Sequence, residues 1–387
     1  MKISDVYDSS KQFVPGAVHA ISHTSALNLR RRLAASEAQS TSGISSSMVF
    51  LQPAPEGLDG SILTVPEAVR PPREFAHLVE CGLLSNPVSV IVPKAVNRRK
   101  QSSRPREVLF RSRIWSCPTP AGSFDELVFS RDVVGGELTV PSEGPSSDVE
   151  GTKVLACSTP QLIFAQMSNL LDELDLITLG CELCGRYSLV PDAEDGFVRH
   201  ETWCTPEDVL AYLRAIGWTA KGHPRAFQAA RRIVGGAFSP LEVAAYELLC
   251  LSPRLGGYGI PAPMLNPWVS EDGQVLDEQQ HGALRPDLFW PEAGLDIEVH
   301  GFQRHMGSQA TPSKPMDDVN REAQLEARGI EVIPLTIKQM RDGEIMGQLA
   351  LRVLKRLGLG RKMPSGDVWQ ARKEALRDRV IPRHVTR

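Results

Sequence analysis

The sequence lacks any apolar run long enough to cross a membrane, and its start lacks the apolar core of a secretory signal. The first twenty residues are MKISDVYDSSKQFVPGAVHA. An excess of one charge is also missing, since 43 Lys and Arg stand against 46 Asp and Glu. We therefore expect a cytoplasmic protein that has no membrane partner and contacts nucleic acid through local basic patches.

Cysteine is sparse and scattered, with 7 residues in a chain of 387. An odd number without regular spacing predicts reduced thiols and excludes a disulfide framework. The spacing of Cys181, Cys184, His200 and Cys204 is compatible with a zinc site. Because Cys181 and Cys184 follow an apolar helical run, burial as small hydrophobic side chains is the alternative, and we expect no zinc.

The pattern of apolar residues and turn signals divides the chain into three regions. Residues 1–230 mix strand-like runs with helix-start signals and predict an α+β domain, which we expect to bind DNA or a partner protein. Residues 231–350 contain the order helix, three strands, helix, strand, which predicts one compact α/β unit. Residues 351–387 form a basic tail, with eleven Lys and Arg against three Asp and Glu from Arg352 onwards.

Proline after Ser or Thr marks the start of three predicted helices, in STPQLIFAQMSNLLDEL, TPEDVLAYLRAIG and SPLEVAAYELLCLS. In the first of these, Ser158 or Thr159 is the expected cap. VSVIVP and EVLFRSR are typical of strands, and a basic loop lies between them. Its cations are Arg98, Arg99, Lys100, Arg104 and Arg106. This loop predicts phosphate contacts, with a solvated hairpin loop as the alternative.

The stretch RPDLFWPEAGLDIEVHGFQRH, residues 285–305, places carboxylates inside strand-like sequence. Alternation along LDIEVH puts its three apolar residues on one face. The opposite face carries Asp296, Glu298 and His300. The loop WPEAG is short enough for DLFW and LDIEVH to pair antiparallel, which brings Asp287 near Glu298.

Two or three carboxylates on one small surface repel each other unless a cation lies between them. Carboxylate oxygens suit Mg²⁺ or Mn²⁺, and such a metal lowers the pKa of a bound water and stabilises charge on a phosphate. In such a site His300 and His305 orient the water or protonate a leaving oxygen. The alternative is a solvated strand face whose surface charges are unpaired.

The pattern Pro286-Asp287…Glu298-Val299-His300 resembles the PD-(D/E)xK nuclease superfamily. Within it, the sequence is most similar to the very-short-patch mismatch repair endonucleases and their restriction-endonuclease-like relatives. Further matches carry this resemblance from position 239 to position 335. They are Ser239 to Glu242 at a helix start, RPD, EVHGF with His305, and Asn320, Arg321, Leu325 and Gly329 before the strand IEVIPL.

The resemblance implies a restriction-endonuclease-like α-β-β-β-α-β domain that hydrolyses DNA with Mg²⁺ or Mn²⁺. It implies that Asp287, Glu298 and the Val299 carbonyl bind the metal, and that Glu242 supports a second metal or a water. For Glu242 the alternative is a helix cap alone, since it is the last residue of a Ser-x-x-Glu capping box.

The remaining residues of the implied site include two departures from the superfamily. His300 stands where the superfamily has lysine, and Asp296 stands where an apolar residue is expected. His305 is the implied acid or base. Asn320 and Arg321 face the phosphate under the resemblance, whereas in the alternative they form the polar side of an amphipathic helix.

The N-terminal two-thirds resembles, more faintly, the C-terminal part of antitoxins from abortive-infection toxin–antitoxin systems. The matching text is HTSAL at 23–27, VSVIVP at 88–93 and CSTPQLIF at 157–164. The winged-helix start of that family is not apparent in the sequence, which argues against promoter binding.

Two functions therefore compete. The first is a divalent-metal-dependent DNA endonuclease-like protein that acts in defence or repair. The second is a non-catalytic regulator that binds DNA or a partner protein of a defence system and retains a degenerate nuclease fold.

Overall fold

The computed structural model of the chain describes residues 19–40, 49–53, 83–84, 88–92, 110–114, 123–129, 155–217, 222–301, 314–360 and 362–381, with Val79 and Pro120. The chain forms two compact units. The first takes in the described residues up to Leu176, with Val190–Val198 and Glu207–Arg231. The second takes in Ile177–Leu189, Arg199–Pro206 and the described residues from Arg232 onwards. Helices and small mixed sheets confirm the general α/β class, and the domain limits drawn at 230 and 350 stay predictions.

A mixed sheet dominates the described part of the first unit. Its strands are β1 His19–Ile21, β2 Val49–Pro53, β3 Val88–Val92, β4 Phe110–Ile114, β5 Phe124–Phe129 and β6 Leu155–Ser158. In space they follow the order β2-β5-β6-β1-β3-β4. The pairs β1–β6 and β3–β4 are parallel and the others antiparallel. The runs VSVIVP and EVLFRSR thus contain strands, as their sequence predicts, while the basic loop between them lies outside the described residues.

Five described helices and two further short strands accompany this sheet in the sequence up to residue 230. Among the described residues up to 230, the helices are α1 His23–Ser40, α2 Pro160–Met167, α3 Glu173–Leu183, α4 Pro206–Ile216 and α5 His223–Ala230. Strands β7 Tyr187–Leu189 and β8 Phe197–Arg199 lie between α3 and α4. Within the first unit, α1 packs against α2 and β3.

The segment STPQLIFAQMSNLLDEL, predicted as one helix, is divided between α2 and α3. The hydroxyl of Ser168 donates to the Ala165 carbonyl (2.7 Å), and Leu170 N donates to Met167 O (2.8 Å). These bonds close the end of α2, because serine offers the backbone an alternative to continued helix. The predicted side-chain cap at Thr159 is wrong, since its hydroxyl donates instead to Ser123 O (3.1 Å).

A second mixed sheet is the centre of the second unit. It follows helix α6, Pro240–Cys250, and its first strand is β9, Met264–Leu265. The short hairpin of β10 Trp268–Val269 and β11 Val275–Leu276 comes next. The remaining elements of the sheet are β12 Leu288–Trp290, β13 Leu295–His300, the helix α7 Lys314–Ala327, and β14 Glu331–Thr336.

The strands of this sheet lie in the order β14-β13-β12-β9. Strands β12 and β13 are antiparallel, with Leu288 opposite Ile297, and the turn between them ends at Gly294, whose φ of 56° favours glycine. Strands β13 and β14 are parallel, and α7 makes the crossover that parallel strands require. The chain therefore runs helix, strand, strand, strand, helix, strand through this sheet.

Both faces of β13 are covered. Leu295 and Ile297 are fully buried, and so is Asp296, while Glu298 is 4% exposed. On one face, Phe289 packs with Val269, Leu325, Ile330 and Val332. The alternative of a solvated strand face therefore does not hold for Asp296 and Glu298, whose charges are kept from water.

Three helices complete the described chain: α8 Ile337–Arg341, α9 Gly343–Arg356 and α10 Asp367–Val380. Thr336 and Gln339 form a capping box at α8, and Asp342 caps α9 by accepting from the N–H groups of Glu344 and Ile345. None of the helices in the described ranges combines the length and apolar character needed to cross a membrane.

Candidate functional site

The antiparallel pairing of β12 and β13 brings Asp287 and Glu298 together. Asp287 immediately precedes β12, and its partner strand places Val299 beside it. Val299 N donates to Asp287 Oδ2 at 2.8 Å, which fixes the orientation of this carboxylate. Both carboxyl groups are buried, with Asp287 9% and Glu298 4% exposed. The sequence thus predicted this neighbourhood from strand spacing alone.

Arg321 of α7 lies between these two carboxylates. Its Nη2 donates to Asp287 Oδ1 at 2.9 Å and to Glu298 Oε2 over a short contact. Burial alone would lower the pKa of the guanidinium, but the bonds to Glu298 and the charge of Asp287 outweigh burial and raise it. Arg321 therefore occupies the bridging position in which the sequence predicts a divalent cation.

The carboxyl groups of Asp287 and Asp296 hold protons more strongly than they would in water. Burial raises the pKa of Asp287 to about 7, and the charges of Glu298 and Glu242 add to this effect. Arg321 and the N–H of Val299 act in the opposite direction. Burial, with the neighbouring Glu298 carboxylate, raises the pKa of Asp296 well above its usual range. Proton binding to Asp287 and Asp296 is therefore favoured despite the positive charge of Arg321.

Two buried carboxyl oxygens of this group have no hydrogen-bond partner among the described residues, Asp296 Oδ2 and Glu298 Oε1. The other oxygen of Asp296, Oδ1, accepts from Leu288 N at 3.1 Å. Unpartnered buried oxygens are uncommon in folded proteins, since each loses its hydration without replacement. A proton or a hard cation would satisfy these lone pairs.

The donor set fits Mg²⁺ or Mn²⁺ in chemical type. One nitrogen atom reaches both Asp287 Oδ1 and Glu298 Oε2, so one cation could bridge the same two oxygens. Mg²⁺ keeps several waters and needs only one or two protein carboxylates. Within the described ranges, however, no three His, Cys, Asp or Glu side chains are grouped to hold a metal, so a metal here would rest on two carboxylates.

Glu242 is held by the start of α6. Its Oε1 accepts from Ser239 Oγ at 2.8 Å, and its Oε2 accepts from Phe238 N at 2.8 Å and from Asn266 Nδ2 at 2.5 Å. Ser239 Oγ accepts in turn from Glu242 N at 3.3 Å. Both oxygens are engaged by the protein, which favours a capping role, and a metal role for Glu242 stays a prediction. Burial raises its pKa despite these bonds.

Asn266 has a role that the sequence did not reveal. It adopts a φ of 50°, a left-handed conformation that asparagine tolerates better than most residues. In this conformation Asn266 N donates to Asp287 O at 3.1 Å, while its side chain donates to Glu242. Asn266 therefore links α6 to the start of β12. The bridging position of Arg321 was likewise not foreseen, although the residue itself was a candidate.

The described side-chain contact of His300 is with Glu322 on α7. Its Nε2 lies 3.1 Å from Glu322 Oε1 on α7, and both side chains are about 30% exposed. The roles predicted for His300 and for the Val299 carbonyl stay predictions. His305 and the basic loop of Arg98, Arg99, Lys100, Arg104 and Arg106 lie outside the described residues. Asn320 is on α7, but its side chain is outside them too.

The cysteine cluster is compact but does not converge on one point. Cys181, Cys184 and Cys204 are buried, and the sulfurs of Cys184 and Cys204 are 3.8 Å apart. His200 directs Nε2 to Ser188 Oγ at 2.9 Å and Nδ1 to its neighbour's carbonyl. Burial raises the pKa of the Cys181 thiol, which disfavours the thiolate that zinc binds. That this cluster holds no zinc stays a prediction.

Comparison with protein-family models, curated proteins and solved structures finds no match to this chain. Its function is therefore inferred from the residues of the site. The central group is Asp287, Asp296, Glu298 and Arg321, with Glu242 beside it.

Proposed function

We propose that the second unit is a divalent-metal-dependent DNA endonuclease of the PD-(D/E)xK type. The observation that carries the proposal is the meeting of Asp287 and Glu298, from different strands, on one cation, Arg321. The order helix, three strands, helix, parallel strand supports it, because that superfamily has the same order. An action in the cytoplasm, in defence or repair, remains part of this proposal.

Each residue of the site has a defined part. Asp287 and Glu298 would hold Mg²⁺ or Mn²⁺, and the metal would lower the pKa of a water and stabilise charge on the phosphate. The N–H of Val299 keeps Asp287 oriented. Arg321, displaced from between the carboxylates, is then available to a phosphate oxygen through its remaining donors.

A second candidate is a non-catalytic DNA- or partner-binding protein that retains this fold. The observation in its favour is again Arg321, which neutralises Asp287 and Glu298 without any metal. His300, in the position of the superfamily lysine, is paired with Glu322. In this case Asp287 and Glu298 stabilise the fold and take no part in catalysis.

Cleavage assays separate the two candidates. Supercoiled plasmid and a mismatched duplex are incubated with the full chain and Mg²⁺ or Mn²⁺ from pH 5.5 to 9. We expect metal-dependent nicking that Asp287→Asn and Glu298→Gln abolish. Glu292→Gln, an exposed carboxylate in the turn between the same strands, is the matched control and should cut like the wild type.

His300→Lys restores the superfamily residue and should cut at least as fast as the wild type. If neither protein nicks DNA with either metal, while both melt cooperatively, the enzyme proposal is wrong and the non-catalytic candidate is preferred.

A further inference from the structure

Three arginines surround the ring of Phe238 in the second unit. The guanidinium carbons of Arg186, Arg199 and Arg285 lie 5.7, 5.6 and 4.9 Å from the ring centroid. Arg285 also lies 3.9 Å from the ring centroid of Trp268. The three arginines come from three separate segments of the chain, so the fold gathers them. We call this group the arginine cluster.

The arginine cluster forms one ion pair with the described carboxylates for its three guanidinium groups. Arg186 pairs with Glu201 at 3.2 Å, but that carboxylate is 89% exposed. No carboxylate of the described residues forms an ion pair with Arg199 or Arg285. The Nε of Arg285 is buried and has no partner within the described part of the chain.

A structural role alone does not account for this arrangement. A cation over an aromatic ring gains about 0.5–1 kcal/mol at an exposed site, whereas three like charges around one ring repel each other. An anion bound by the three arginines would reduce the repulsion between their charges. Guanidinium groups bind phosphate oxygens through paired donors.

The arginine cluster adjoins the carboxylate site. Phe238 N donates to Glu242 Oε2 at 2.8 Å, and Arg285 is two residues before Asp287. Arg199 is near enough for its charge to lower the pKa of Glu242, although burial still raises that pKa overall. An anion bound by these arginines therefore lies beside the carboxylates.

We propose that Arg186, Arg199 and Arg285 bind the phosphate backbone of the DNA strand that the neighbouring carboxylate site acts on. Phe238 and Trp268 lie against the guanidinium groups, and the phosphate oxygens would accept from donors of Arg199 and Arg285, which form no ion pair among the described residues. This inference rests on the proposed function for its choice of DNA as the ligand. It makes the cluster a binding surface that needs no metal.

Binding is measured by fluorescence anisotropy of a labelled 20-base-pair duplex and of its single strand. The full chain is used in EDTA, at 50–200 mM KCl. Arg199→Ala and the double variant Arg199→Ala/Arg285→Ala are compared with Arg372→Ala, an exposed arginine of α10 that serves as the matched control. Thermal melts verify folding, and the exposed Arg199→Ala keeps the test valid if the double variant unfolds.

We expect the double variant to bind duplex at least tenfold more weakly at low salt. The slope of log affinity against log salt should fall by about 0.9 for each lost phosphate contact. Arg372→Ala should match the wild type. Equal affinity and slope for all proteins, or no binding by the wild type to either probe, would overturn the binding surface.

The binding and cleavage results can fail separately. A protein that binds DNA through Arg199 and Arg285 but never cuts it keeps the binding surface and loses the endonuclease. A protein that cuts DNA while its arginine variants bind like the wild type keeps the endonuclease and loses the surface.

Discussion

Arg321 links two carboxylates, one just before β12 and one on β13, through a single nitrogen atom. Under the proposed function, a divalent cation would compete with this guanidinium for the same oxygens, Asp287 Oδ1 and Glu298 Oε2. The position of Arg321 would then determine both the stability of the metal-free protein and its affinity for metal. These two quantities should respond in opposite directions when the arginine is removed.

Arg321→Ala should tighten Mg²⁺ binding at pH 8 by roughly tenfold, because the competing guanidinium is removed. This change corresponds to about 1.4 kcal/mol of binding free energy. It should also lower the melting temperature in EDTA, because Asp287 and Glu298 lose their buried counter-charge. Calorimetric titration and thermal melts measure the two effects. Arg352→Ala, which removes an exposed pair with Glu331, is the control and should change neither much. Weaker Mg²⁺ binding by Arg321→Ala would contradict the competition.

Asp287 should make the metal-free protein lose stability as the pH rises. Its pKa is raised to about 7 by burial, above the usual value of 3.8. The bound proton therefore stabilises the fold fully below about pH 4, and this contribution is lost as the pH rises through about 7. Asp287→Asn stays uncharged, so its free energy of unfolding should exceed that of the wild type by on the order of 4 kcal/mol at pH 8.

Urea unfolding in EDTA from pH 4 to 8 measures this difference, with Glu292→Gln as the control. The gap between wild type and Asp287→Asn should open between pH 4 and 7 and then stay constant. A gap that is the same at every pH would show that Asp287 is ionised in the folded protein throughout this range.

At the scale of single elements, strand β13 shows what alternation predicts and what it misses. The pattern LDIEVH correctly gives a strand that pairs with DLFW and brings Asp287 to Glu298. It does not reveal that the polar face is buried, because that burial depends on elements distant in sequence. The partner of the carboxylates, Arg321, is 23 residues beyond Glu298, at a separation that no local pattern fixes.

Glu242 should stabilise the start of helix α6 and should contribute little to Mg²⁺ binding. Glu242→Ala leaves Phe238 N and the Asn266 amide without their buried acceptor, which should cost about 1–3 kcal/mol of unfolding free energy. Mg²⁺ affinity should change less than twofold. Denaturant unfolding and calorimetric titration give the two values, with Glu344→Ala on the exposed start of α9 as the control. Loss of Mg²⁺ binding with unchanged stability would instead make Glu242 a ligand.

For the whole molecule, the sequence predicted the α/β class and the run of elements around the carboxylates. Local signals such as Ser239-Pro240 and Gly294 mark where those elements begin and end. The composition of the two units was not predictable, since each takes in separate segments of the chain. Membership of Ile177–Leu189 in the second unit depends on contacts such as Arg186 N to Ala237 O, at 2.7 Å.

The second unit should therefore need its early segment to fold. A fragment of residues 173–387 retains the bonds from Thr178 to Glu247 and from Gly236 to Cys184, whereas a fragment of residues 232–387 loses them. We expect the longer fragment to melt cooperatively and the shorter one to melt at a lower temperature or without a transition. Circular dichroism melts make the comparison, and equal melting temperatures would show that the early segment is dispensable.

Because each unit is built from separate segments of the chain, parts of the second unit are synthesised long before the rest of it. The ribosome delivers Leu179, Cys181 and Tyr187, all buried in the finished protein, well before the C-terminal elements that belong to the same unit. These apolar side chains therefore stay exposed while more than a hundred further residues emerge, at about 5–20 residues per second. The nascent chain should accordingly be a better chaperone substrate than the finished protein, and premature termination should leave an aggregation-prone product.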